Sequence, residues 1–166
     1  MRVLGIDPGT RHCGFGVVEA RSGSRIVHVA HGVISPKASE ALEVRLRVIF
    51  EGLTEAVRAH GPDACAVEEV FFAVNAKSAL TLGHARGVAL LVAARAGLAV
   101  SAYAPTVIKQ AVVGTGRAEK AQVSRMVSVI LGLAAIEQAD ASDALAIAIT
   151  HATRAGAKSL LSPRSA

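Results

Sequence analysis

Tryptophan is absent, tyrosine occurs once and phenylalanine four times in 166 residues, so the core must be built from aliphatic side chains. Only two cysteines occur, Cys13 and Cys65, each inside an apolar run and without CxxC spacing. That argues against a zinc site or a disulfide framework and leaves buried free thiols in a reducing compartment. No apolar run is long enough for a membrane span of roughly 20 residues. The oiliest, "GVALLVAARAGLAV", is interrupted by Arg95, and the opening "MRVLGIDPG" lacks a signal-peptide layout. A soluble, cytoplasmic protein is expected. Acidic residues are also in short supply. Thirteen Asp and Glu face 18 Lys and Arg, a net charge of +5, which favours an anionic partner, nucleic acid first among them.

What is present is 52% hydrophobic residues and 15 glycines, the composition of a compact, Ala-rich globular chain. The length suits one domain, expected over residues 1–154, with 155–166 a frayed, flexible tail. No internal repeat or low-complexity linker interrupts it.

Residues 2–7, "RVLGID", read as a buried strand; "CGFGVVEA" and "RIVHVAHGVI" follow as strands parted by the turn-rich "RSGS". From Ser39 the period becomes helical through Leu42, Leu46, Ile49, Phe50, Leu53 and Val57, until "HGPD" ends it. Next come a strand "ACAVEEV", a long helix opening at Asn75, and a strand "AVSAYAP". Helices are then expected over 105–112, 119–132 and about 140–154. Strand, helix, strand implies a parallel crossover. Three antiparallel strands followed by parallel ones, five in all and flanked by helices, describe an α/β fold with a mixed sheet of the ribonuclease H-like type. Fold alone names no chemistry.

The placement of acids is more informative. The chain has four aspartates, and three of them, Asp7, Asp140 and Asp143, lie at the edges of strongly apolar elements; the fourth, Asp63, lies in an ordinary "GPD" turn. Glu68 falls inside an apolar strand beside Glu69, and two consecutive strand residues must face opposite sides of the sheet. If the first and fourth strands are neighbours, Asp7 and Glu68 can meet. Each acid also has a plainer reading. "DASD" can start a helix, with Asp140 as N-cap and Asp143 third in the helix, for about 1 kcal/mol. Asp-Pro-Gly is a common turn at a strand exit. Glu68 can lie at a solvated edge, although no basic residue close in sequence partners it. Converging in one cleft, four carboxylates would repel one another unless a cation neutralised them. Oxygen donors without His or Cys select Mg²⁺ or Mn²⁺ over zinc. Two such ions, roughly 4 Å apart, would clamp both the attacking and leaving oxygens of a phosphodiester displacement.

Around "VVGTGRAEKAQV", Lys109, Arg117, Lys120 and Arg125 gather with only Glu119 opposing them, a candidate phosphate-binding surface or simply solvated helix charge. Phe71 and Phe72 lead from a strand into a loop; either both pack in the core or one is left to stack on a base. Gly83 and Gly87 permit close helix approach, within the chain or between subunits. The six histidines are scattered, His151 near the end of the last helix.

The stretches "GIDPGTRHCGFGV", "AVEEVFFAVNAKSAL", "LGHARGVA", "VIKQAVVGTG", "AEKAQV" and "ADASDALAIAITH" resemble, in order and spacing from about residue 4 to 152, the RuvC Holliday junction resolvases of bacteria. The resemblance implies a ribonuclease H-like homodimer acting in recombination and DNA repair, which cuts four-way DNA junctions by paired symmetric nicks. It implies Mg²⁺, two ions per site with Mn²⁺ able to substitute, 5′-phosphate and 3′-hydroxyl ends, and RuvA and RuvB as partners. The family's catalytic, metal-holding acids fall on Asp7, Glu68, Asp140 and Asp143. Its DNA-contacting aromatic falls on Phe71 and its two functional lysines on Lys109 and Lys120; Arg117 joins them as a DNA-binding candidate. Glu69 stands where a member of that family has glutamine, adding negative charge near the expected phosphate surface.

Three rival functions fit parts of the same sequence. "GIDPGT" also looks like the phosphate loop of actin- or sugar-kinase-like ATPases, but those need a second such loop and a longer chain. A non-catalytic junction-binding protein would not be expected to keep all four acids. An RNA-cleaving ribonuclease H is the nearest competitor within the enzyme class.

Overall fold

The structure is a computed structural model and describes residues 1–22, 25–69 and 76–161. Five strands form one sheet in the order β3-β2-β1-β4-β5. They are β1 (Arg2–Asp7), β2 (Cys13–Ala20), β3 (Ile26–Ile34), β4 (Ala64–Glu68) and β5 (Ala99–Tyr103). β1 pairs antiparallel with β2, and β2 with β3, whereas β1–β4 and β4–β5 are parallel. The mixed five-stranded sheet expected from the sequence is therefore the one formed. Helices α1 (Leu42–His60) and α2 (Ala76–Arg95) cover one face; α3 (Pro105–Val113), α4 (Lys120–Leu131) and α5 (Ala139–Leu161) cover the other.

Strand alternation divides the side chains between two cores. Leu4, Ile6, Cys13, Val17, Cys65 and Val67 pack with Ile49 and Leu53 of α1 and Ala89 and Val92 of α2. Val3, Val18 and Ala66 point the other way, into Ile108, Val123, Val127, Leu145 and Ile149 of α3, α4 and α5. Both cysteines are buried free thiols, and burial pushes each up to about 12, so they remain protonated.

Local chemistry sets the element ends. Gly61 terminates α1 at φ +51°, a left-handed conformation that favours glycine, and its N–H donates to the Val57 carbonyl. Asp63 then ties that turn to the sheet, accepting from the Arg2 backbone N–H at 2.7 Å. Pro105 starts α3, where a missing N–H costs nothing. α5 extends further than the sequence spacing suggests, to Leu161 instead of about residue 154. Its added residues, 155–161, include two Ala, two Leu and one Lys, which favour helix, and Gly156 costs only about 1 kcal/mol against Ala.

α5 packs closely on the centre of the sheet. A Cβ on Gly5 would run into the Ala144 carbonyl oxygen and the Ala148 nitrogen; one on Gly14 would meet the Asp140 carbonyl; one on Gly16 would meet Leu145. All three glycines lie on the α5 face, so this helix rests on bare backbone. Gly83 and Gly87 differ, since nothing within the described chain approaches within 4 Å of an added Cβ at either. Their proposed role in close packing inside the chain is not realised.

Gly5→Ala should destabilise the protein by about 1–3 kcal/mol through overpacking against α5. Gly156→Ala, in open space on the same helix, should be neutral or stabilising by up to about 1 kcal/mol. Urea unfolding of both variants measures the contrast; equal effects would show that α5 does not depend on the bare strand.

Candidate active site

The parallel register that sets Ile6 opposite Val67 continues to Asp7 and Glu68 at the adjoining ends of β1 and β4. Because alternate residues share a face, Glu68 follows Ala66 toward α5, the side to which Asp7 follows Val3 and Gly5. Glu69 lies beyond the strand end and is exposed; its backbone N–H donates to the Tyr103 carbonyl at 2.8 Å. The glutamate pair is thus divided as the alternation requires, with only Glu68 turned to the cleft.

α5 brings the other two acids. The helix begins at Ala139, so Asp140 lies within its first turn and is not the N-cap that the sequence suggested. The Ser142 N–H donates to the Gln138 carbonyl at 3.1 Å, which carries the first turn back to Gln138. Asp140 still gains from the helix dipole there. Both aspartates are half-buried, while Ala141 and Ser142 between them are buried. Ser142 Oγ bonds Ser124 Oγ of α4 at 3.0 Å, fixing the start of α5 against its neighbour.

Asp7, Glu68 and Asp143 line one cavity of about 330 Å³, with Lys109 from α3 and Lys120 from α4; Ile108, Val123 and Ile147 supply apolar walls. Asp140 is not among the lining residues, but its charge is felt at Asp7. Burial, then Asp143, Glu68 and Asp140, push Asp7 up to about 7, and Lys120 only partly offsets them. Glu68 is raised as well, by burial and Asp143, against the pull of Lys120 and Lys109. The four acids are therefore coupled electrostatically.

Lys120 Nζ lies 3.0 Å from Asp143 Oδ2, with the lysine side chain 83% exposed. The hydrogen bond to Asp143 raises Lys120 above the ordinary lysine range. A lysine at the first position of a helix opposes the helix dipole, so its placement follows from the acids it faces. Arg117, in the turn before α4, is exposed and outside the cavity, as is Arg125 on α4. Phe71 and Phe72, like Asn75 at the expected opening of α2, lie outside the described residues. His151 is committed elsewhere, its Nδ1 2.9 Å from the Tyr103 hydroxyl.

Oxygen donors, shared burial and unrelieved like charge suit a hard divalent cation in this cavity. The side chains do not close around an ion as they stand: among the described residues no three Asp, Glu, His or Cys groups are close enough to hold a metal. The fit lies in donor type and facing, with Lys120 meeting Asp143 in the present arrangement.

A sequence model of crossover junction endodeoxyribonuclease RuvC matches residues 3–151. The chain belongs to the RuvC family. It is accordingly a nuclease that hydrolyses phosphodiester bonds, with a ribonuclease H-like fold. Curated RuvC relatives include those of Sorangium cellulosum, 54% identical over 94% of this chain and 87% of the relative, and Geobacter metallireducens, 53% identical over 97% and 98%. The solved structure of Thermus thermophilus RuvC in complex with a Holliday junction substrate aligns with a TM-score of 0.90 at 39% identity, covering 95% of this chain and 96% of that one. The kinase-like rival falls with this membership of the RuvC family.

The strain at Asp7 has a measurable sign. Its folded value, about 7, lies above the ordinary 3.8, so the native state binds this proton more tightly than the unfolded chain does. That relative stabilisation is complete below about pH 3.8 and lost as pH rises through about 7. In a metal chelator, wild-type unfolding free energy should fall by on the order of 3 kcal/mol between pH 5 and pH 8. Asp7→Asn should flatten most of that slope and be the more stable protein at pH 8. An unchanged slope in the variant would remove the proposed crowding of charge.

Proposed function

We propose that this RuvC-family chain resolves four-way DNA junctions by metal-dependent hydrolysis, as a homodimer that nicks two equivalent strands symmetrically. The observation that carries the reading is the cavity in which Asp7, Glu68 and Asp143, from three separate elements, face Lys109 and Lys120. The Thermus relative's junction complex, at a TM-score of 0.90, supports the substrate.

In this reading Asp7, Glu68, Asp140 and Asp143 hold two Mg²⁺ ions, with Mn²⁺ able to replace them. When bound, the metal supplies Lewis-acid activation of water and stabilises charge at the leaving oxygen. Water attacks phosphorus opposite the 3′ oxygen, which departs, leaving a 3′-hydroxyl and a 5′-phosphate that can be ligated. The apolar wall of Ile108, Val123 and Ile147 limits water behind the acids. Lys109 contacts the phosphate backbone from α3, and Lys120, already exposed at the cavity mouth, moves between Asp143 and substrate phosphate. Arg117 and Phe71 extend the DNA contact beyond the cavity.

A two-fold enzyme suits a two-fold junction. On α2, Leu80 and Leu91 are 66% and 52% exposed, and they share one helical stripe with the open Gly83 and Gly87. That stripe supports α2 as the dimer contact. Residues 1–154 would form the nuclease domain, acting in recombination and repair with RuvA and RuvB delivering the junction. A cytoplasmic location is consistent with the described helices, none of which is long and apolar enough to cross a membrane.

A synthetic mobile four-way junction incubated with Mg²⁺ tests the proposal, with an RNA–DNA hybrid as competitor. Wild type should give paired nicks with ligatable ends. Asp143→Asn should lose cleavage by at least about a thousandfold while still binding the junction in Ca²⁺. Lys109→Ala should weaken both binding and rate and lower the salt dependence of binding by about one phosphate contact. Retained cleavage by Asp143→Asn, or preferential cutting of the hybrid, would contradict it.

A further inference from the structure

Two of the histidines meet on the edge of the sheet. On β3, His28 Nε2 lies 2.7 Å from His31 Nδ1, with the ring centroids 4.9 Å apart and the planes at 62°. Residues three apart on a regular strand point to opposite faces. Here the register passes from Ala30 opposite Val17 to His28 opposite Val18, so Val29 is an extra residue and the strand is bulged. The bulge turns both imidazoles to one side, over Gly16 and Val18 of β2. Without it the pair could not form.

The environment leaves the rings available as ligands. His31 is exposed and His28 half-buried. Burial, then the neighbouring His31, hold His28 below the ordinary histidine range, which favours a neutral ring with a free lone pair. No carboxylate contributes to that shift. The set is nitrogen only, in contrast to the oxygen donors of the nuclease cavity.

We propose that His28 and His31 form a two-imidazole chelate for a late first-row transition-metal ion, with Cu²⁺ the best fit, on a different strand from every nuclease acid. Metal–nitrogen bonds of about 2.0–2.1 Å at a square-planar right angle set two nitrogens about 2.9 Å apart, and at a tetrahedral angle about 3.3 Å. The observed 2.7 Å must open by a few tenths of an ångström for the first geometry, and the two rings must turn so that their lone pairs converge on the ion instead of lying along the hydrogen bond. In the free pair one ring donates its N–H to the other. On binding, that proton moves to the far nitrogen of its own ring, so that after the rings turn both near nitrogens ligate the ion and no net proton is released. Water completes the coordination. Mg²⁺, which takes oxygen ligands, does not compete here.

The test adds one equivalent of Cu²⁺ to the full chain near neutral pH, in excess Mg²⁺, and records the electron paramagnetic resonance spectrum. Wild type and His12→Ala should show superhyperfine coupling to two imidazole nitrogens. His31→Gln, an exposed position whose folding is checked by circular dichroism, should lose one nitrogen and bind Cu²⁺ at least tenfold more weakly by calorimetry. The His28→Ala/His31→Ala double variant should lose the two-imidazole signal altogether. Persistence of the wild-type spectrum in the double variant, or its loss in His12→Ala, would overturn the assignment.

Discussion

The direct seating of α5 on the sheet is the constraint on which the rest of this structure depends. Gly5, Gly14 and Gly16 strip the central strands of side chains beneath the helix, and the Asp140, Ala144 and Leu145 positions descend into that space. A helix held at ordinary distance by Cβ atoms would carry Asp140 and Asp143 away from Asp7. Seated as it is, α5 joins both aspartates to the electrostatic environment of the β1 carboxylate. The core and the candidate active site thus share one cause. Strand alternation completes it, because the register that turns Ala66 inward also turns Glu68 into the cavity.

Bringing the acids together has an energetic cost that the chain only partly offsets. Burial and three acidic neighbours push the Asp7 carboxyl up to about 7, and the closest compensation, Lys120 on Asp143, is an ion pair whose lysine is largely solvent-exposed. Exposed pairs of that kind contribute little to stability. A cluster so incompletely neutralised is better suited to receiving cations than to holding the fold together. The exchange of Lys120 onto a substrate phosphate proposed above would therefore give up little stability. The same logic explains why the acids fall at element ends, where they can face a cavity, while the elements themselves remain apolar.

Much of this was legible in the sequence. The period-2 strands and the change to helical spacing after Ser39 mark the order of every described element and nearly the bounds of all but α5, because the others carry an apolar pattern with a turn or proline at the exit. The acids stood out because aspartate is scarce and three of four lie against apolar runs. α5 starts two residues before the cap that "DASD" suggests, since the helix begins at Ala139 and Gln138, not Asp140, accepts the first-turn bond, although an aspartate is the stronger capping type. The length of α5 was underestimated because alanine-rich sequence carries no sharp end signal before Pro163. The ion pair between Lys120 and Asp143 spans two helices and has no local signature. The glycines under α5 were visible as alternating strand positions, 14 and 16, but their purpose depends on a helix more than 120 residues away. The meeting of His28 with His31 depends on a bulge, which spacing alone cannot reveal.

If the acid cluster binds hard divalent ions, direct titration of Mn²⁺ followed by water-proton relaxation or calorimetry detects it without requiring any substrate. Wild type should bind Mn²⁺, Mg²⁺ should displace it, and Asp7→Asn should lose at least about tenfold in affinity, as expected when a metal ligand is removed. Equal Mn²⁺ binding by wild type and Asp7→Asn would contradict the account, and the crowded carboxylates would then need another explanation.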